Sequence, residues 1–115
     1  FIMKDYCAVW TRTLKTLYNL TDNDAKVFNT LCNECEATVE SIAELLHKDR
    51  SVVQKSIKKL MDHGLVVRDS IVCEKGRYYV YRLPSQTKLR KQVLSRLRTF
   101  NQEVKNVLDI LNRNT

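Results

Sequence analysis

Residues 38–66 read TVESIAELLHKDRSVVQKSIKKLMDHGLV, and this stretch decides the fold. It holds two apolar patterns of helical period. The first carries Ile42, Ala43, Leu45 and Leu46, which predicts a short helix near Glu40–His47. The second sets Val53, Ile57, Leu60 and Met61 at i, i+4, i+7 and i+8, one stripe along a helix from Arg50 to His63. Asp49 suits the N-cap of that helix and Gly64 its stop. Only a few residues separate the two helices, the spacing of a helix-turn-helix.

The second helix has two unlike faces. Opposite the apolar stripe stand Ser51, Lys55, Lys58 and Lys59, with Asp62 at the far end and Arg50 and Gln54 flanking the start. Such a helix buries one side and offers a cationic side about 10 Å wide, a width that enters a DNA major groove. Ser51 and the N–H groups of the first turn suit a phosphate. Arg50, Lys55 and Lys58 reach base edges or phosphates, and Gln54 suits adenine. A lysine-rich face taken alone is usually just solvated surface. The surrounding sequence makes nucleic acid the stronger expectation.

Downstream the period changes. Leu65–Cys73 is rich in Val and Ile, and Arg77–Leu83 alternates, with Tyr79, Tyr81 and Leu83 against Tyr78, Val80 and Arg82. Glu74, Lys75 and Gly76 join the two runs as a tight turn, so the segment is a β-hairpin with Lys75 and Arg77 at its tip. Pro84 ends it, and Ser85 caps a last helix running to about Asn112. Upstream, Thr21 and Asp24 form a variant capping box. It opens a helix to about Asn33 that buries Ala25, Phe28, Leu31 and Cys32. A first helix spans roughly Asp5–Asn19 on Tyr6, Val9, Trp10, Leu14, Leu17 and Tyr18. Glu36–Val39 is either a minimal strand or a loop. The expected class is mainly α with a small β-hairpin, α+β.

Residues 38–66 resemble the winged helix-turn-helix of prokaryotic transcription regulators, especially small archaeal members of the TrmB-like and MarR-like groups. The most specific part is Ile42-Ala43, then Arg50-Ser51 and Val53, then Leu60 and His63-Gly64-Leu65-Val66. Leu20–Phe28 resembles the TrmB-like helix that precedes the motif, so the likeness covers about Leu20–Leu83. It implies that the helix holding Arg50–Lys59 lies in the major groove. It also implies that the hairpin tip, Lys75, Gly76 and Arg77, is a wing touching the flanking backbone or minor groove. Two departures stand out. His47 occupies the turn where the family often has glycine, and the chain has no room for the large sugar-binding domain of many TrmB-like proteins, so that effector logic is not expected here.

Three parts follow: an N-terminal helix, 1–19, packing with the C-terminal helix; a winged helix-turn-helix domain, 20–84; and a coiled-coil-like dimerisation helix, 85–115. In the last, Val93, Leu97, Phe100, Val104, Val107 and Leu111 step by 4, 3, 4, 3 and 4, a heptad seam. One helix cannot bury that seam alone. It packs either on the chain's own first helix or, as favoured here, across a two-fold axis. The start of this helix is also basic, at Lys88, Arg90, Lys91, Arg96 and Arg98.

Composition bounds the rest. The chain has 115 residues, 43% hydrophobic and 29% charged, with two glycines and one proline. This excludes a large multi-domain enzyme and wholesale disorder. No apolar run approaches the ~18 residues of a membrane span, and Lys4 and Asp5 interrupt the apolar start, so the expectation is a cytoplasmic protein with no membrane partner. Charge is lopsided: residues 1–49 hold five basic and eight acidic residues, residues 50–115 fifteen basic and five acidic. A strongly basic half expects a polyanion.

The four cysteines read as cytosolic thiols. Cys32-Asn33-Glu34-Cys35 is a lone C-x-x-C pair, read first as a small core residue and a nearby thiol; a redox role stays open, and a closed zinc site would need further ligands from Cys7, Cys73, His47 or His63. No glycine-rich phosphate loop, nucleophile elbow or paired carboxylates occur, so no catalytic residue, cofactor or metal is expected. The expected function is a homodimeric transcription regulator binding specific double-stranded DNA, its effector unknown. The alternatives are a winged-helix protein-interaction module without DNA contact and a thiol-sensing regulator.

Overall fold

The computed structural model describes residues 3–114, with side chains from residue 8 onward. The side chains of Tyr6 and Cys7 lie outside the described residues. The elements in order are α1 (Met3–Tyr18), α2 (Asp22–Glu34), β1 (Glu36–Ala37), α3 (Val39–Leu46), α4 (Arg50–Asp62), β2 (Val67–Cys73), β3 (Gly76–Arg82) and α5 (Gln86–Arg113). They fall into two compact units, Phe1–Pro84 and Ser85–Thr115. The α+β class and the winged helix-turn-helix order are those expected.

In the first unit α2 is central, packing against α1, α3, α4 and β1. Its start is fixed by the capping box: Asp24 N–H donates to Thr21 Oγ1 at 3.2 Å and Thr21 N–H to Asp24 Oδ2 at 3.0 Å. Ala25, Val27, Phe28 and Leu31 are buried. Cys32, expected inside, is exposed. It stands on the last turn of α2, one residue past Leu31, the last buried position of the helix. Leu14, Leu17 and Tyr18 of α1 are buried, and the Trp10 ring stands 6.0 Å from Phe28. Asn29 Nδ2 donates to Thr11 Oγ1 at 3.1 Å.

The helix-turn-helix is made of α3 and α4. α3 begins one residue earlier than its apolar period suggests, because Thr38 caps it. Ser41 N–H donates to Thr38 Oγ1 at 3.2 Å, and Thr38 N–H to Ser41 Oγ at 3.1 Å. His47 ends α3 in the left-handed conformation, φ 54° and ψ 46°. Lys48 N–H bonds to Ala43 O and His47 N–H to Glu44 O, the paired bonds of a Schellman stop. α4 ends in the same way. There Gly64 has φ 72°, Leu65 N–H bonds to Leu60 O and Gly64 N–H to Met61 O. Leu60 and Leu65 are fully buried, the apolar contact that accompanies such a stop.

The three strands form an antiparallel sheet in the order β1-β3-β2. Glu36 and Ala37 therefore form a minimal strand, paired with Arg82 and Tyr81 at the base of the hairpin. The hairpin register sets Val67 opposite Arg82 and Cys73 opposite Gly76, so Glu74 and Lys75 alone make the turn. Gly76 takes the positive φ, 125°, which an L side chain rarely adopts.

The second unit is one helix of 28 residues, about 42 Å long, capped by Ser85, whose Oγ accepts from Lys88 N–H at 3.2 Å. Val93 is buried, whereas Leu97, Phe100, Val104, Val107 and Leu111 are exposed, as are Leu94, Leu108 and Ile110. Among the described residues, no helix is long and apolar enough to cross a membrane.

Candidate nucleic-acid interface

α4 is built to be held on one side and open on the other. Val53, Ser56, Ile57 and Leu60 are buried and face the body, where α4 packs against α2 and α3. Arg50, Ser51, Gln54, Lys55 and Lys58 are exposed. These five share the outward face over the first three turns, an arc that the 3.6-residue period gathers together. Asp49 does not cap through its side chain. Its carbonyl accepts from Val52 and Val53 N–H at 3.1 and 3.2 Å. The earliest N–H groups of α4 thus keep no carboxylate of Asp49 as partner, which suits an incoming phosphate.

Lys59 stands apart from the other lysines. The period groups it with the free lysines, but its Nζ lies 3.1 Å from Asp24 Oδ2 and donates to Asn19 O at 2.9 Å. Asp24 is almost wholly enclosed, with its side chain 6% exposed. Burial pushes the Asp24 carboxyl up. Hydrogen bonds from Thr21 N–H, the Ser56 hydroxyl, Lys59 and the Thr21 side chain outweigh it and hold the carboxyl below its ordinary value. Lys59 is therefore a tie between α4 and the start of α2. An open groove of about 450 Å³ runs beside this tie, with Thr21 and Asn23 on one bank and Val52 and Lys55 on the other. Arg50 makes a weaker contact, Nε to Glu40 Oε1 at 3.1 Å, with both side chains more than 60% exposed. Such a pair is worth ~0–1 kcal/mol and yields readily to another anion.

The wing adds a second cationic element. Lys75 and Arg77 are exposed at the tip. The register puts Arg68, Ser70, Val72, Arg77 and Tyr79 on one face of the hairpin. Arg68 lies 4.3 Å above the Tyr79 ring, and both are exposed. On the other face Arg82 Nε is held by Asp69 Oδ2 at 2.7 Å. Arg68 was not singled out from sequence. The signal was available, because Arg68 pairs with Tyr81 and sits diagonal to Tyr79 once the turn is fixed at Glu74 and Lys75.

Cys32 and Cys35 are both exposed thiols at the end of α2. Among the described residues no group of three or more His, Cys, Asp or Glu is placed to hold a metal ion. His63 caps α4, its ring edge-on to Tyr18 at 5.4 Å.

Comparison with known proteins agrees with this geometry. An uncharacterized protein of Methanocaldococcus jannaschii is 31% identical over 83 residues, which cover 70% of this chain; the match spans only 63% of that relative's length. A solved structure described as a possible transcriptional regulator from Methanosarcina mazei superposes with a TM-score of 0.74 at 24% identity, covering 85% of this chain and 84% of that one. A MarR family transcriptional regulator from Silicibacter pomeroyi superposes with a TM-score of 0.56 at 17% identity, covering 96% and 80%. At these identities the two structures speak for a shared winged-helix fold. The family model described as the sugar-specific transcriptional regulator TrmB matches residues 14–85, from the core of α1 to the cap of α5. With those elements, the helix-turn-helix and the wing in one continuous match, the chain belongs to the TrmB family of transcriptional regulators.

Proposed function

We propose that the chain regulates transcription by binding specific double-stranded DNA as a homodimer. α4 enters the major groove. Lys55, Lys58 and the start of the helix, Arg50 and Ser51, meet phosphates and base edges, and Gln54 reads a base. Lys75, Gly76 and Arg77 meet the flanking backbone. Lys59 keeps α4 in place and is not a contact. The observation that carries this reading is the open outward face of α4, backed along the same turns by buried Val53, Ser56, Ile57 and Leu60.

The dimer reading rests on α5. Leu97, Phe100, Val104, Val107 and Leu111 form an exposed seam of heptad spacing. A repeating seam of this kind is complementary to a second copy of itself. Two copies would set two α4 helices against two half-sites.

Selection from a random pool of duplex DNA, followed by mobility shifts across salt concentrations, tests the reading. Enrichment of a two-fold symmetric sequence is expected. Replacing Lys55 and Lys58 with alanine removes four phosphate contacts per dimer and flattens the log–log salt slope by about 3–4, at ~0.9 per contact. An unchanged slope and affinity in that variant refutes the assignment of α4.

A further inference from the structure

We propose that Cys32 and Cys35 form a modification site: a dithiol that a hydroperoxide oxidises to a disulfide, whose closure unpairs β1 from β3. The inference starts from the backbone of Cys35, at φ 65° and ψ −53°. A non-glycine residue in that region is strained, and the residue stands between the last turn of α2 and the first residue of β1. Both thiols are exposed, so an oxidant in solution reaches them.

The spacing allows a bridge, but the present conformation of Cys35 does not. Asn33 and Glu34 are helical, and they fix the Cα separation of Cys32 and Cys35. Helix geometry makes that separation about 5 Å, inside the ~4.4–6.8 Å that disulfides span. In a continuing helix both Cβ atoms would tilt toward the N-terminus on one face. Cys35 is instead turned by about 130° about its N–Cα bond from the helical φ. For an L residue this turn puts Cβ nearly where the carbonyl carbon of a continuing helix would go. The Cys35 side chain thus leads onward along the helix, away from Cys32.

Closing the disulfide needs the two Cβ atoms about 3.5–4.5 Å apart. Helical φ sets the Cβ atoms of an i, i+3 pair about 5–6 Å apart, nearer than the present turn leaves them, so closure takes Cys35 back to a negative φ and tightens the last turn further. That rotation relieves its strain, but it swings the chain at Glu36 toward the helix axis. Glu36 and Ala37 are the whole of β1, and they pair with Arg82 and Tyr81 of β3. No residue lies between Cys35 and Glu36 to absorb the turn. Oxidation lengthens α2 and pulls the minimal strand off the base of the wing.

The chemistry balances with a hydroperoxide as the sole co-reactant. One thiolate attacks the peroxide oxygen, the O–O bond breaks, and the alkoxide leaves with the bonding pair and takes up the first thiol proton. The sulfenic acid is then attacked by the second thiolate. The S–S bond forms, and hydroxide leaves and takes the second proton. Two thiols lose two electrons, and the peroxide becomes an alcohol and water. The consequence for DNA rests on the function proposed above, because β3 is a strand of the wing.

The test uses the full chain carrying Cys7→Ser and Cys73→Ser, treated with hydrogen peroxide. The expected results are a mass lower by about 2 Da, a peptide map linking residues 32 and 35, and amide exchange about tenfold faster across 36–37 and 81–82. Cys35→Ser in the same background shows neither the link nor the faster exchange. If the background does not fold, the same mapping is made on the unsubstituted chain, where each linkage is identified by its peptides. Thiols that oxidise without a 32–35 link overturn the proposal, and so does a link that leaves exchange at 36–37 unchanged. Mobility shifts on reduced and oxidised protein form a separate arm. A reduced chain that binds no duplex sinks the proposed function while mass and exchange still judge the dithiol.

Discussion

Replacing Asp24 with alanine strikes several interactions at one buried point. Its carboxylate accepts from Thr21 N–H at 3.0 Å and lies 3.1 Å from Lys59 Nζ, and the Ser56 hydroxyl bonds to it as well. The loss of half a capping box costs about 0.5–1 kcal/mol. The ion pair lies between two limits, since the Asp24 side chain is 6% exposed and that of Lys59 37%. Surface pairs contribute ~0–1 kcal/mol and buried ones cost ~3–5 kcal/mol to break, so about 1–2 kcal/mol is reasonable here. Together about 1.5–3 kcal/mol is lost. For a unit of this size, each kcal/mol moves the melting temperature by about 4–8 °C. Thermal unfolding of the full chain at neutral pH, followed by circular dichroism, should show a fall of about 6–24 °C. Asp24→Asn keeps an acceptor for Thr21 N–H and loses only the charge, so it should fall by about two-thirds as much. An alanine variant melting within about 3 °C of the parent would refute the view that this tie seats α4.

The same carboxylate predicts an acid limit. Its pKa in the folded chain is depressed below the ordinary 3.8, so its stabilisation is complete above that value. It is lost as pH falls through the folded value, and Asp24→Asn should blunt the melting-temperature drop below pH ~4 in a pH series. Gly76→Ala should cost about 1–3 kcal/mol at the wing, read by melting and by amide exchange in the hairpin. Its added Cβ meets nothing within 4 Å, so the cost is all backbone. If α5 pairs as proposed, Val104→Glu should abolish the dimer and leave a monomer in sizing runs, at the 13.5 kDa of one chain. Glu40→Gln releases Arg50 and should tighten DNA binding about two- to fivefold in mobility shifts, with the weaker effect at high salt.

Periodicity was enough for what is local. The stripe at Val53, Ile57 and Leu60, the Thr21–Asp24 box and the alternation through Tyr78–Tyr81 all recur as expected, because each depends on neighbours within a turn or a strand. What escaped is long-range. Lys59 looks like Lys55 and Lys58 on a helical wheel, and only the fold brings Asp24 to it from 35 positions away. β1 could not be separated from a loop, since two residues carry no period and their partners lie beyond residue 80. The Thr38 cap leaves a faint mark in the sequence, because its third-position partner is Ser41 and not the commoner Glu or Gln. Asp49, a good cap by type, holds the extended conformation without the side-chain bond.

The paired Schellman stops at His47 and Gly64 bear on how the molecule could fit a duplex. Each helix of the helix-turn-helix closes on its own carbonyls at its C-terminal end, and only His47, Lys48 and Asp49 join α3 to α4. In a complex such a stiff reading head could not adapt to a groove of the wrong width, so the elastic work would fall on the double helix. Discrimination would then extend to base pairs that no side chain touches, through how easily each step bends or opens.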